Sequence, residues 1–277
     1  MTTKVGIDLR RLVERSSGVF GKSGTGKTFL TRLLLAGIVQ SDVAVNLVFD
    51  MHSEYGWQGT SEGETRWVKG LKQLFPGKVA IFTLDPDSSL KRGVHPDHVV
   101  EIGYDQIEPD DLALLREALG MTEAQIESVI RIARRYGDRW LEAFLDLEGE
   151  DRERLAQELG LNPGTLQVLH RKMETRVARL SFLKPRALVN SVQEILNCLS
   201  RGMSVVLEFG RHRSLDAYML VANILTRRIH EQYVEAVELA MGERAAEPRP
   251  LVITIEEAHK FLNPKVADFT IFGTIAR

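Results

Sequence analysis

Four runs of consecutive apolar residues stand out along the chain: Val43–Asp50, Lys78–Leu84, Met203–Phe209 and Leu251–Ile255. They are apolar at successive positions instead of alternating, the pattern of strands buried on both faces of a parallel sheet. Between them lie stretches of helical periodicity, from Thr28 to about Val39, around Leu188–Leu199, and from about Ser214 to Leu239. Strands alternating with helices predict an α/β fold. Two shorter pieces, Lys4–Ile7 and Gly18–Phe20, also read as strands, the second leading directly into a glycine-rich turn.

The middle of the chain has a different rhythm. From about Gln106 to Phe182 the strand signal vanishes and helical periods are separated by caps. Asp110-Asp111 opens one helix and Gly120 closes it. Thr122-Glu123-Ala124-Gln125 is a capping box for the next, which stops at Gly137. Gly160 and Pro163 precede a long helix through Leu166, Leu169, Met173 and Val177. The expected organisation is a core segment over 1–105, an inserted all-helical subdomain over 106–184, and a second core segment over 185–277. Arg131, Arg134 and Arg135 form a basic cluster in the insertion, readable as a nucleic-acid contact or as a solvated face.

Composition narrows the class without naming a function. A net charge of −2 over 277 residues excludes a globally basic protein but leaves room for a local basic surface. The single cysteine, Cys198, excludes a disulfide framework and a cysteine-rich zinc site, and its apolar surroundings suit a small buried side chain. The N-terminus has no apolar signal core and no apolar run approaches a membrane span, so a cytoplasmic protein with no membrane association is the default expectation.

The chemistry begins at Gly21-Lys22-Ser23-Gly24-Thr25-Gly26-Lys27-Thr28, a complete match to G-x-x-x-x-G-K-[ST] placed before an apolar helix. Glycines at these positions let the backbone curl around phosphate oxygens with its N–H groups turned inward. The following helix start adds unpaired donors and a favourable dipole. Gly21 to Thr28, with Phe29 in the first helical turn, form the expected nucleotide-binding set. In it Lys27 supplies positive charge for the β- and γ-phosphates and Thr28 a hydroxyl for Mg²⁺. The bound species expected are ATP and Mg²⁺.

A second element is Glu256-Glu257, delivered by the last apolar run. Glu256 is the expected partner of Mg²⁺, through a water, and Glu257 the general base aimed at the water that attacks the γ-phosphate. An acid placed for water argues for hydrolysis over transfer to another acceptor. No Asn-Lys-x-Asp or Leu-Ser-Gly-Gly-Gln sequence occurs, which disfavours GTPases and ABC-type ATPases.

With these residues assembled, the chain resembles the HerA branch of the HerA/FtsK ATPases, hexameric DNA-translocating motors with a RecA-like P-loop core. The likeness rests on the P-loop, on Asp50-Met51-His52-Ser53-Glu54-Tyr55 against the family's Asp-x-His-Gly-Glu-Tyr, on the helical insertion, on Ile255–Leu262, and on Gly273-Thr274-Ile275-Ala276-Arg277. It implies a homo-oligomer, a hexamer in the complete form, acting on DNA with a NurA-type nuclease in DNA end processing. The alternative is a nucleotide-switched ring scaffold for an effector in antiphage defence. Arg15 falls where family members place an arginine reaching a neighbouring subunit's nucleotide, and Arg277 matches another family arginine. Asp50, His52 and Glu54 follow a strand's carboxyl end and serve either a nucleotide-proximal role or a capped loop. Two departures from the family, about 20 residues before the P-loop where members carry a β-barrel and an end 20 residues after Glu257, lead to the expectation of a fragment.

Overall fold

The computed structural model describes residues 5–22, 24–60, 67–242 and 246–276. Nine strands are present among them: β1 (Val45–Asp50), β2 (Gly59–Thr60), β3 (Trp67–Val68), β4 (Val79–Thr83), β5 (His98–Val99), β6 (Ile102–Gly103), β7 (Leu183–Lys184), β8 (Ser204–Glu208) and β9 (Leu251–Thr254). Five of these form one sheet in the order β5-β4-β8-β1-β9, with every pairing parallel. The three central strands β4, β8 and β1 are buried at every position, as their continuous apolar runs require, whereas the edge strand β9 is only half-buried.

The chain forms two compact units. The first, residues 1–99, 192–213 and 229–256, holds this sheet and the two N-terminal helices, α1 (Leu9–Val13) and α2 (Lys27–Ser41). Leu35 and Val39 of α2 pack with Val48 of β1, Val79 and Ile81 of β4, and Val206 of β8. The ammonium of Lys78, just before β4, donates to the carbonyl of Val39 at 3.2 Å. The last turn of α2 therefore lies at the amino end of the sheet, and its first turn, with the glycine loop, at the carboxyl end. Ligands of parallel α/β sheets bind at that end.

One sequence expectation fails here. Residues 18–20 form no strand, and neither do residues 5–7; Lys4 lies outside the described residues. Phe20 is 93% exposed. A three-residue apolar piece has no ladder of its own and becomes a strand only when an edge recruits it, and among the described residues β9 pairs only with β1.

The second unit, residues 100–191, 214–228 and 257–277, is mostly helical. Helix Glu123–Tyr136 starts at the Thr122 capping box and stops at Gly137, as the sequence displays, whereas the helix expected from Asp110-Asp111 to Gly120 spans only Pro109–Leu114 and ends at Leu115. The hydroxyl of Thr122 accepts from the Gln125 amide at 3.3 Å, and the Gln125 side-chain oxygen accepts from the Thr122 amide at 3.2 Å. The parallel pair β6–β7 brings the two ends of this helical stretch side by side. Buried Trp140 donates its indole N–H to the carbonyl of Ile107 at 2.8 Å. Arg227 grips both carboxylate oxygens of buried Asp111, and Asn223 joins Asp111 to the amide of Ile271. The long helix Leu215–Met241 contributes residues to both units. Among the described residues no helix is long and apolar enough to cross a membrane.

Candidate nucleotide site

The glycine loop takes the conformation its sequence demands. Gly24 and Gly26 have φ of 76° and 86°, left-handed values open to glycine and strained for other residues. A Cβ on Gly21 would come 2.6 Å from the Thr25 hydroxyl. The loop closes on one acceptor: the carbonyl of Lys22 receives the Thr25 hydroxyl at 2.7 Å, the Thr25 amide at 3.3 Å and the Lys27 ammonium at 2.9 Å. Gly26 is the cap residue of α2 and offers no side-chain bond, so the amides of the first helical turn keep their donors turned to solvent. Thr28 is half-buried and Phe29 half-exposed within that turn. Ser23 lies outside the described residues.

The other wall is a row of acids set by strand register. Asp50 at the end of β1 stands opposite Glu208 at the end of β8, and Thr83 of β4 stands opposite the same Glu208. On the other side Val48 pairs with Thr254, which puts Asp50 and Glu256 each two residues past that pair. Asp85 follows β4 by two residues. The carboxyl edge of the sheet thus carries Asp85, Glu208, Asp50 and Glu256 on four adjacent strands.

These acids are not equivalent. Buried Glu208 is paired with the guanidinium of Arg92. Asp85 accepts from the Arg211 guanidinium at 2.7 and 3.1 Å and from the Arg211 amide at 3.0 Å. The bidentate arginine above all holds the Asp85 carboxyl down at about 2. Among the described residues no cation is paired with Asp50. Its oxygens accept from the amides of Glu54 at 2.7 Å, Tyr55 at 2.8 Å and Gly56 at 3.2 Å. Complete burial outweighs those bonds, with Glu208 adding like-charge repulsion, and its pKa rises to about 6. Asp50 is therefore the internal anion that shapes the 51–56 loop. His52 is exposed and Glu54 half-buried on that loop.

Glu256 is half-buried one residue beyond Ile255, while Glu257 is exposed, with its carboxylate 3.4 Å from the His259 ring. Glu257 has φ of 50°, a left-handed backbone that a non-glycine residue adopts only at a cost. Arg15 lies just past α1 and is exposed, and Arg277 falls outside the described residues. Three members of the constellation went unmarked in the sequence: Glu208, Arg92 and Arg211. Glu208 had a usable signal, since its apolar run ends in an acid just as Val43–Asp50 does. The arginines had none, being 116 and 126 residues from their partners.

The residues present fit a triphosphate and a magnesium ion. The cradle offers left-handed glycines, an uncapped helix start and a lysine ammonium resting on a replaceable carbonyl. Among the described residues no group of three or more histidine, cysteine or acidic side chains could hold a metal. Mg²⁺ binds through one or two protein oxygens plus phosphate and water, and the half-buried Thr28 hydroxyl and Glu256 carboxylate are donors of that type.

Compared with known proteins, the chain matches the family described as Helicase HerA, central domain, over residues 1–229. The matched span contains the glycine loop, the Asp50 loop and Glu208, and stops short of Glu256. No curated protein and no solved structure matches the chain.

Proposed function

Because the chain belongs to the family of the helicase HerA central domain, we propose that it is the ATP-hydrolysing core of a ring-forming DNA translocase. The observation that carries this reading is the open glycine cradle at the carboxyl edge of a parallel sheet, beside strands ending in acids. In it, the amides of the loop and of the α2 start bind the β- and γ-phosphates, and Lys27 exchanges the Lys22 carbonyl for phosphate oxygens. Thr28 and Glu256 would hold Mg²⁺, which would supply positive charge to the phosphates. Glu257 orients and deprotonates the attacking water. Its strained backbone supports this role, since such strain gathers at functional positions. Arg15, exposed after α1, reaches the nucleotide of a neighbouring subunit in a hexamer.

The helical stretch 106–184 is an inserted subdomain between core segments 1–105 and 185–277 in this reading, and the ring draws DNA through its pore, working in the cytoplasm with a nuclease that processes DNA ends. DNA-stimulated ATP turnover tests the motor. Glu257→Gln is expected to bind ATP with unchanged affinity and to lose turnover by on the order of 10²- to 10³-fold, measured by nucleotide titration and phosphate release. Normal turnover in that variant removes the general base assignment. ATP-driven assembly that ignores DNA favours instead a nucleotide-switched scaffold for a defence effector.

A further inference from the structure

The helical unit spends many of its arginines on neighbouring acids. Arg116 pairs with Glu123, Arg131 with Glu127, Arg135 with Glu158, Arg139 with Glu142 and Arg154 with Asp151, at 2.5 to 3.2 Å. Two members of the basic cluster at Arg131, Arg134 and Arg135 are therefore neutralised. The stretch from Arg171 to Arg186 is different. It carries Arg171, Lys172, Arg176, Arg179, Lys184 and Arg186 against one acid, Glu174. Lys172 is used internally: its ammonium donates to the carbonyl of Gly120 and to the side-chain oxygen of Gln125, which pins the end of helix Pro163–Lys172 beside the start of helix Glu123–Tyr136. The other five have no ion pair among the described residues. Their four arginines are exposed and Lys184 is half-buried. Glu174, and Asp105 two residues past the Gly103 that pairs with Lys184, are exposed acids nearby, and neither pairs with the five. The backbone holds the stretch in place. Met173–Val177 forms a π turn, closed by the Ala178 amide on the Met173 carbonyl at 2.8 Å, and Met173 and Val177 are buried. Such turns gather at functional sites. Arg171, Arg176 and Arg179 lie on the outward side, over roughly 12 Å of helix axis, about three phosphate spacings of a DNA strand. Downstream, Leu183 and Lys184 pair with Ile102 and Gly103, and the Glu101 carboxylate accepts from the Leu188 amide at 3.1 Å.

We propose that the Arg171–Arg186 stretch is a contact surface for the phosphodiester backbone of DNA. Guanidinium groups meet phosphate oxygens with paired donors, and four of the five free cations are arginines. Other polyanionic partners fit less well. A basic helix that binds a membrane needs an apolar face to insert. Here Met173, Val177 and Phe182 are buried, and only Leu188 and Val189, beyond the stretch, are exposed. A protein interface is anchored by a desolvated apolar cluster, yet no large apolar side chain is exposed from Arg171 to Arg186. No aromatic ring is exposed there either, so bases find no stacking platform and the contact is with backbone alone, independent of sequence. The inference rests on the proposed DNA-acting function and adds the surface that takes the DNA.

The test is the triple variant Arg171→Ala, Arg176→Ala, Arg179→Ala in the whole chain, titrated with a labelled random-sequence DNA duplex and with its separate strand across a salt series. Expected are a rise in Kd on the order of 100-fold at about 0.1 M salt, and a slope of log affinity against log salt shallower by about three units. Arg176→Ala alone should give about one unit of that change. Melting temperatures should stay put, because the replaced side chains are exposed and unpaired. Arg116→Ala, Arg135→Ala, Arg139→Ala removes the same formal charge from paired positions and should change the slope by under about one unit. An equal loss in the two triple variants reduces the effect to net charge and overturns the proposal, as does wild-type DNA affinity in the first. A loss that depends on base sequence overturns contact through the backbone alone. Loss of binding to phosphatidylserine vesicles with DNA binding intact gives the surface to a membrane instead. A wild-type chain that binds nucleotide but no DNA overturns the DNA-acting function and this surface together.

Discussion

Two loops at the carboxyl edge of the same sheet solve opposite problems with backbone amides. In the 21–28 loop, left-handed glycines and an uncapped helix start leave donors without an internal acceptor, and the loop is exposed along most of its length. In the 51–56 loop three consecutive amides converge on Asp50, an anion the chain supplies itself, and the result is buried. The first loop turns its donors outward; the second spends them on a carboxylate of its own. This difference separates binding from scaffolding within one motif-bearing edge. It also bears on the two roles open to Asp50, because amides of its own loop take three of the roughly four acceptor positions of its carboxylate.

The largest effects should therefore cross over between the loops. Lys27→Ala removes a charge held by one exposed carbonyl, so the melting temperature should barely move. Nucleotide affinity should collapse and turnover fall on the order of 10³-fold, about 4 kcal/mol of transition-state stabilisation. Asp50→Ala should do the reverse in kind, stranding three amides at a cost of about 3 kcal/mol in unfolding free energy. Chemical denaturation and phosphate release on the same two variants check both halves. A stable, inactive Asp50→Ala chain would place Asp50 in the chemistry after all.

A self-supplied anion also leaves a pH signature that the 21–28 loop does not. The ordinary Asp50 value of 3.8 is raised to about 6 in the fold. Between those values the native chain binds the proton more tightly than the unfolded one, so stability falls as pH rises. The stabilisation is complete below about pH 4 and gone above about pH 6, and its size is about 3 kcal/mol. Asp85 runs the other way: its carboxyl, held at about 2 by Arg211, contributes stability that is lost only as pH drops from near 4 toward 2. Unfolding free energies at pH 4, 5 and 6 should show a decline in the wild type that Asp50→Asn flattens. Parallel slopes in the two chains would mean that Asp50 is not the group responsible.

What could be read in the sequence follows the same division. The 21–28 loop is contiguous, and every residue type in it has a local reason, so spacing alone exposes it. The acid row is assembled by register between strands as far apart as Asp50 and Glu208, and no spacing rule reaches that far. Asp50 was visible as an acid ending an apolar run, but its role lies in three amide bonds that the sequence does not spell out. The failed strand at Gly18–Phe20 marks the converse error. Apolar content suggested a strand, yet a strand is a pairing, and β9 offers those residues none in this fold. The helix from Glu123 to Tyr136 was legible to its caps because capping is as local as the glycine loop, whereas the one opened near Asp110 ends well before Gly120.

The smallest effect sharpens the comparison within the filled loop itself. Ser53 sits at φ 58°, a left-handed residue two positions before the first of the Tyr55-Gly56 amides that bond the same Asp50 oxygen. The related family motif has glycine at this position, the residue with no penalty for that conformation. The Ser53 hydroxyl does not compensate, since its oxygen is buried with no hydrogen-bond partner among the described residues. Ser53→Gly relieves both the backbone strain and the stranded hydroxyl, against the extra freedom glycine gains when unfolded. The balance should favour the variant by about 1 kcal/mol in chemical denaturation. Nucleotide affinity should be unchanged, because the relieved strain belongs to the loop that binds its own carboxylate. If affinity rises with stability, the 51–56 loop moves on nucleotide binding, and the division between a filled and an open loop gives way to a coupled pair.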